Sequence, residues 1–303
     1  MGDALDARPR NAFTVDLEEW FQGLTSTNRR PALWSSLESR VEPATRQLLR
    51  LLRDHGVRAT FFVLGHVADH HPALIEAIRG DGHELGVHGY SHRFVYKLTP
   101  AEFAGELARS IEALMRITGE APLGHRAPYF SVNAQTPWAF DCLEGAGLRY
   151  DSSVFPTRNM LYGYPAAPRL PYRLPGRQLW ELPASTVRWA GGTWPVAGGF
   201  YVRALPYALL RRAFCRLQAA GEPLILYVHP WELDLGQRYS RVTARERVTH
   251  YLGRRGLAAK LERLLSEFRF GTMGDLVAQL EAETVPVAES ASAPGPLRRQ
   301  SMA

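Results

Sequence analysis

The feature that most restricts the fold of this chain is a repeated alternation. Short apolar runs of strand length are each followed by polar residues and then by a helical pattern. Ala12-Phe13-Thr14-Val15, Ala59-Thr60-Phe61-Phe62-Val63-Leu64, Glu84-Leu85-Gly86-Val87 and Leu224-Ile225-Leu226-Tyr227-Val228 read as buried strands. Segments ending near Arg126, Asp151, Pro183 and Met273 add shorter ones. Between them lie helical patterns over 42–54, 72–79, 99–117, 137–145, 205–220, 257–268 and 275–281. Their ends are marked: Thr99-Pro100 offers a cap and a first-turn Pro, while Gly56 and Gly119 offer stops. Such alternation predicts a mostly parallel sheet covered by helices.

About seven such units follow one another without a break, which predicts a single α/β domain. Polar residues at five strand ends favour a distorted (β/α) barrel of about seven parallel strands over an open sheet. A barrel brings all those ends to one mouth. The barrel is expected over 12–283, with a flexible leader at 1–11 and a disordered tail of Ala, Ser, Pro and Glu at 284–303. Residues 156–178 are dense in Pro, Gly and Tyr and are expected to form an irregular insertion near the mouth; Ala197–Tyr201 reads as a tight loop.

The net charge of +6 raises nucleic acid as a partner, but the Arg residues are scattered, without a basic block interleaved with aromatics. No nucleic-acid role is expected. Cys142 and Cys215 each sit in a helical pattern and read as buried free thiols, which suits a reducing compartment. Residues 1–8 lack an apolar signal core, and no run approaches about 18 apolar residues. A soluble, cytoplasmic protein without a transmembrane segment is therefore expected.

The chemistry concentrates at the strand ends. His88 and His92 stand four residues apart after the third strand. On a helical turn that spacing places both rings on one side, as two of the three protein ligands of an open metal site. Asp16 and Glu18 alternate with Leu17 and share a face at the end of the first strand. Arg126, Asp151 and His229 mark three further ends. The plainer readings are a solvated acidic turn and a structural Arg126–Asp151 ion pair. His66, His70, His71, His83 and His125 read as surface or helix-end residues. Trp20, Tyr129, Tyr201 and Trp231 offer rings either to a sugar or to the core.

Taken in order, these motifs resemble the polysaccharide deacetylase family, the NodB-homology group or carbohydrate esterase family four. Thr14-Val15-Asp16-Leu17-Glu18 stands where the family has Thr-Phe-Asp-Asp-Gly, and His88-Gly89-Tyr90-Ser91-His92 matches His-Ser/Thr-x-x-His. Arg126-Ala127-Pro128-Tyr129 matches Arg-x-Pro-Tyr, Asp151 the Asp-centred fourth motif, and Leu224 to His229 the fifth. The resemblance covers roughly residues 12–280. Val15-Asp16-Leu17-Glu18-Glu19-Trp20-Phe21, Tyr150–Pro156, Gly198–Tyr201 and Tyr227–Glu232 further resemble the branch associated with exosortase (PEP-CTERM) exopolysaccharide clusters.

That resemblance implies a metal-dependent N-deacetylase acting on an N-acetylated polysaccharide or a lipid-linked oligosaccharide, in contact with membrane-bound polysaccharide synthesis machinery. It implies Asp16 as general base, Arg126 as its orienter, His229 as acid paired with Asp151, and the Tyr129 N–H as oxyanion donor. Tyr129, Trp231 and Tyr201 would line the substrate groove. One departure stands out: Leu17 replaces the family's second Asp, a metal ligand. Glu18, on the face of Asp16, is the expected substitute beside His88 and His92, holding Zn2+, or Co2+, Ni2+ or Mn2+. Glu19, direct ligation by Asp16, or a site without metal are the alternatives. A metal-independent, allantoinase-like cyclic amidase and an inactive carbohydrate-binding barrel are the competing functions.

Overall fold

The computed structural model describes residues 11–157, 163–237 and 242–284. The expected leader (apart from Asn11), the tail from residue 285 and part of the expected 156–178 insertion lie outside the described residues.

Ten strands form: β1 (Ala12–Leu17), β2 (Thr60–Val63), β3 (Glu84–Val87), β4 (Gly124–His125), β5 (Tyr150–Asp151), β6 (Tyr172–Arg173), β7 (Trp180–Glu181), β8 (Thr186–Trp189), β9 (Gly192–Pro195) and β10 (Ile225–Val228), counted among the described residues. Eight make one sheet in the order β10-β1-β2-β3-β4-β5-β7-β6. All its pairings are parallel except β6 with β7. The seven parallel strands are the core of a curled, incomplete barrel. Where a closing strand would stand, the chain lays connecting backbone against β10. Ser185 N–H donates to the Ile225 carbonyl at 3.2 Å and Tyr227 N–H to the Ala197 carbonyl at 2.8 Å.

Register decides which residues face in. Leu17, Val63 and Val87 stand side by side on the outer face, packed against Leu48, Ile75, Phe103 and Leu107 of the helices Val41–Asp54, Pro72–Gly80 and Pro100–Thr118. That outer core supplies most of the apolar burial, and truncating one such Leu to Ala costs about 2–5 kcal/mol. On the inner face Phe62, Tyr150 and Trp180 meet Met273 and Leu276 of the helix Met273–Thr284. Gly124 makes room there: a Cβ would fall 1.9 Å from the Tyr150 ring. Towards the mouth, polar side chains stand among the rings of Phe130 and Tyr227.

Several local expectations change. Gly199–Ala204 is a helix, not a loop. Phe270–Met273 contributes one isolated bridge, Gly271 to Ala12, instead of a strand. The β8–β9 hairpin and the helix Ala244–Tyr251 carry no clear periodic signal in the sequence. Both cysteines are half-buried, and His125 is fully buried under the outer helices.

Candidate active site

The polar mouth of the barrel holds a cavity of about 270 Å³ whose lining includes Asp16, Glu18, His88, His92, His229 and Trp231. β1 delivers Asp16 and the turn after it delivers Glu18. β3 runs straight into His88, whose N–H is held by the Val63 carbonyl at 2.9 Å. The next residues do not form the helical turn that the spacing suggested. The loop folds instead through left-handed backbone at Gly89 (φ 72°) and His92 (φ 53°). A non-glycine residue held there carries strain of about 1–3 kcal/mol. Glu106 holds the loop through the N–H groups of Tyr90 (3.0 Å) and Ser91 (2.7 Å), and Asn28 Nδ2 donates to the His92 carbonyl (2.7 Å). The two imidazole centroids end 5.3 Å apart.

Glu18 meets them. One of its oxygens, Oε2, abuts His92 Nε2 and lies 4.0 Å from His88 Nε2, yet makes no well-angled hydrogen bond. Its other oxygen accepts from Trp231 Nε1 at 3.1 Å. Burial pushes the Glu18 carboxyl up, but His92 and then His229 and His88 pull it down to about 2, so it is ionised. His88 Nδ1 lies 2.8 Å from the Arg126 carbonyl and donates to it, which leaves the Nε2 lone pair facing Glu18. Burial is the largest influence on His88 and takes its pKa down to about 4, so the ring is neutral. An ionised, under-bonded carboxylate oxygen beside a neutral imidazole is a donor set that suits a divalent cation. The ligand atoms of Glu18, His88 and His92 all lie within 4.8 Å of one another, the one such cluster among the described residues.

Of the alternatives to Glu18, Glu19 is placed elsewhere, while Asp16 shares the cavity with the rings. Leu17 is buried on the outer face. Glu19 accepts from Ser39 and from the Arg40 N–H (3.0 Å), away from the rings. Asp16 uses Oδ1 to accept from Arg126 Nη1 at 2.8 Å. Arg126 is fully buried, and its remaining donors reach Thr14 Oγ1 (2.7 Å) and Ser152 Oγ (2.9 Å) over the Phe62 ring. Its ion pair is therefore with Asp16, not with Asp151.

His229 ends β10 with Nε2 at 3.9 Å from Asp16 Oδ2 and 3.7 Å from Glu18 Oε1. The expected His229–Asp151 pair is not made. Asp151 stands opposite His125 in the β4–β5 register, so its side chain leaves the sheet on the outer face. There it binds His125 Nδ1 (2.8 Å) and Ser153 Oγ (2.5 Å). The carboxylate beside His229 is Glu232, with Oε2 3.4 Å from Nδ1. Arg203 Nε anchors Glu232 at 2.8 Å, and Gly199 lets the chain pass where any Cβ would fall 1.9 Å from Glu232 Oε2. Burial lowers the Glu232–Arg203 neighbourhood's tolerance for unpaired charge, and the pairing answers it. Burial pushes the Glu232 carboxyl up, yet Arg203 and His229 hold it down at about 2. Burial pushes His229 down, yet Glu232, Glu18 and Asp16 together raise it to about 9. Sequence reasoning missed Glu232 and Arg203. Glu232 was visible three residues after His229; Arg203 carried no signal beyond a lone charge in Phe200-Tyr201-Val202-Arg203.

The aromatic residues divide. Trp231 is buried, with His229 (5.0 Å, 25°) and His250 (3.9 Å, 13°) stacked on it, and its N–H serves Glu18. Tyr129 is stacked on Phe94 at 4.1 Å and abuts His92, and its backbone is left-handed with φ 56°. Tyr201 is half-buried on the cavity wall. Trp20 is buried with Phe21, Leu24 and Trp34.

Comparison with known proteins bears on this arrangement. Residues 26–149 match the family model described as polysaccharide deacetylase, and residues 152–278 match one described as a domain of unknown function (DUF3473). The chain is 30% identical over 148 residues to a peptidoglycan-N-acetylglucosamine deacetylase of Bacillus cereus, covering 45% of this chain and 53% of that protein. It is 41% identical over 95 residues to a chitin deacetylase of Colletotrichum lindemuthianum, covering 30% and 38%. It thus spans about half or less of the length of these curated relatives. In fold it is similar to a Mycobacterium smegmatis protein described provisionally as a polysaccharide deacetylase (TM-score 0.65, 23% identity, 96% and 94% covered). It is likewise similar to a PuuE allantoinase (TM-score 0.61, 19% identity, 92% of each chain covered).

Proposed function

We propose that this chain, whose residues 26–149 match the polysaccharide deacetylase family, hydrolyses the acetamido group of an N-acetylated polysaccharide, releasing acetate and a free amine. One observation carries the proposal. Glu18, His88 and His92 converge on one point, with Asp16 Oδ2 and His229 Nε2 beside it at the cavity.

Glu18, His88 and His92 would hold a divalent ion, Zn2+ by ligand type, with Co2+, Ni2+ and Mn2+ compatible. Bound there, it supplies Lewis-acid polarisation and lowers the pKa of water from near 15.7 towards about 7. Asp16, fixed through Oδ1 by Arg126, takes the proton of the attacking water as general base. The water oxygen joins the acetyl carbon and the C–N bond breaks. His229, kept protonated by Glu232, delivers its proton to the departing nitrogen. The N–H of Tyr129 faces the developing oxyanion, a contribution of about 3 kcal/mol for one donor. The left-handed backbone at Tyr129 supports that assignment.

The motif resemblance supports an exopolysaccharide or its lipid-linked precursor as substrate, a cytoplasmic setting, and contact with membrane-bound synthesis machinery. Among the described residues no helix is long and apolar enough to cross a membrane. A single catalytic domain over 12–283 is supported by the sheet, which runs unbroken through both family-matched segments.

The test is acetate release from N-acetylated oligosaccharides by protein that is chelated and then reloaded with metal. Activity lost on chelation and regained on reloading is the expected result. Amidase activity that survives full chelation supports the cyclic-amidase reading. No acetate release by the metal-loaded protein leaves a carbohydrate-binding barrel.

A further inference from the structure

The cavity ends against a wall. One rim is Gly23 and Leu24, after β1; the other is Thr243, Glu246 and His250, from the helix Ala244–Tyr251 and its cap. The rims touch. Ser26 N–H donates to Glu246 Oε1 at 2.9 Å across 220 residues of sequence. Glu246 Oε2 is held in turn by the Thr243 N–H (3.0 Å) and Oγ1 (2.9 Å). The bridging residue is only 6% exposed. The helix behind it is pinned to the catalytic floor, because Arg203 binds the Thr249 carbonyl at 2.8 Å and His250 stacks on Trp231. The bridge is thus a fixed part of the site.

A polymer that lies across a catalytic centre needs open space in both directions. Here one direction is shut. The cavity of about 270 Å³ also falls below the roughly 300–1,000 Å³ of clefts that take drug-sized ligands. Its room matches about one sugar ring with its acetamide. Resting on the deacetylase reading above, we infer that the pocket takes its substrate end-on, admitting the terminal N-acetylated sugar, with the Ser26–Glu246 bridge as the stop.

The experiment uses the full chain loaded with Zn2+ and β-1,4-linked N-acetylglucosamine oligomers from dimer to hexamer. Acetate is counted per chain, and the free amine is located by mass spectrometry. The expected result is one acetate per chain at every length, a rate per chain that does not rise with length, and the amine on one terminal ring. Glu246→Ala, checked for folding by its thermal transition, is expected to release more than one acetate from the hexamer and to place amines on internal rings. Glu246→Gln keeps an acceptor for Ser26 and is expected to retain the terminal pattern. Several acetates per hexamer from the unaltered protein would overturn the inference without touching the deacetylase reading. So would an unchanged pattern in folded Glu246→Ala. Absence of acetate from every oligomer would overturn the deacetylase reading, and this inference with it.

Discussion

Two buried clusters of imidazole and carboxylate occupy opposite faces of the same sheet, and only the inner one opens on the cavity. The inner cluster holds Asp16, Glu18, His88, His92, Arg126 and His229. The outer holds His125, Asp151 and Glu181, neighbours in register across β4, β5 and β7 and each fully buried. In the inner cluster ionised groups have an opposite charge beside them: Arg126 with Asp16, Arg203 with Glu232, and His229 with both Glu232 and Glu18. Among the described residues no Arg or Lys forms an ion pair with Asp151 or Glu181. Burial, and then the charge of Asp151, push the Glu181 carboxyl far above its ordinary range, so it stays protonated. The protonated Glu181 carboxyl hydrogen-bonds with Asp151, and His125 Nε2 lacks a partner among the described residues. The same residue types therefore make an open site on one face and a sealed cluster, with Glu181 protonated, on the other. A one-residue step along each strand separates them, because side chains alternate between faces.

The sharpest way to break this contrast is to remove proton carriers from the inner cluster. Asp16→Asn and His229→Ala are each expected to cut acetate release by about 10²–10⁴, with the folded state retained in a thermal melt. Trp231→Phe removes the N–H that orients Glu18 and is expected to weaken metal affinity about 10- to 100-fold, read by competition with a chelator. Glu232→Gln removes the largest influence raising His229. An acid in the proposed role of His229 works while protonated, so activity is expected to fall as pH rises through about 9. In the variant that alkaline limb moves to lower pH, and turnover at pH 8 drops about tenfold while the acid limb stays in place.

The smallest effect belongs to the outer cluster. Glu181 has its carboxyl raised on folding, so its stabilising contribution is full below the unfolded value near 4.5 and is lost as pH rises through the folded value. Glu181→Gln is neutral at every pH. It is expected to add about 1–3 kcal/mol at pH 8 in denaturant unfolding, little at pH 4.5, and to change turnover less than about threefold. A collapse of turnover in this variant would erase the distinction between the two faces.

The comparison also explains what could be read in the chain beforehand. The apolar runs at 12–15, 60–63 and 225–228 announced their strands because β-branched and aromatic residues fill a surface buried on both sides. Asp16 and Glu18 were assignable to one face by alternation alone. Asp151 was not, because a strand of two residues gives too little pattern to set its parity without the His125 register. Arg203, Asn28 and Glu246 act through contacts 29 to 220 residues away in sequence. No local spacing encodes such contacts. The helix Ala244–Tyr251 buries only Glu246 and His250, so it lacks the apolar stripe that reveals a helix.

Anomalous diffraction at the zinc edge, from crystals of the unaltered protein grown with Zn2+, tests the central claim most directly. The account predicts one strong peak at the barrel mouth, coordinated by Glu18, His88 Nε2 and His92 Nε2, with Asp16 held off it by Arg126. A peak bound by Glu19 or by the Asp151 cluster, or a mouth without zinc while Glu18 stays against His92, would contradict it.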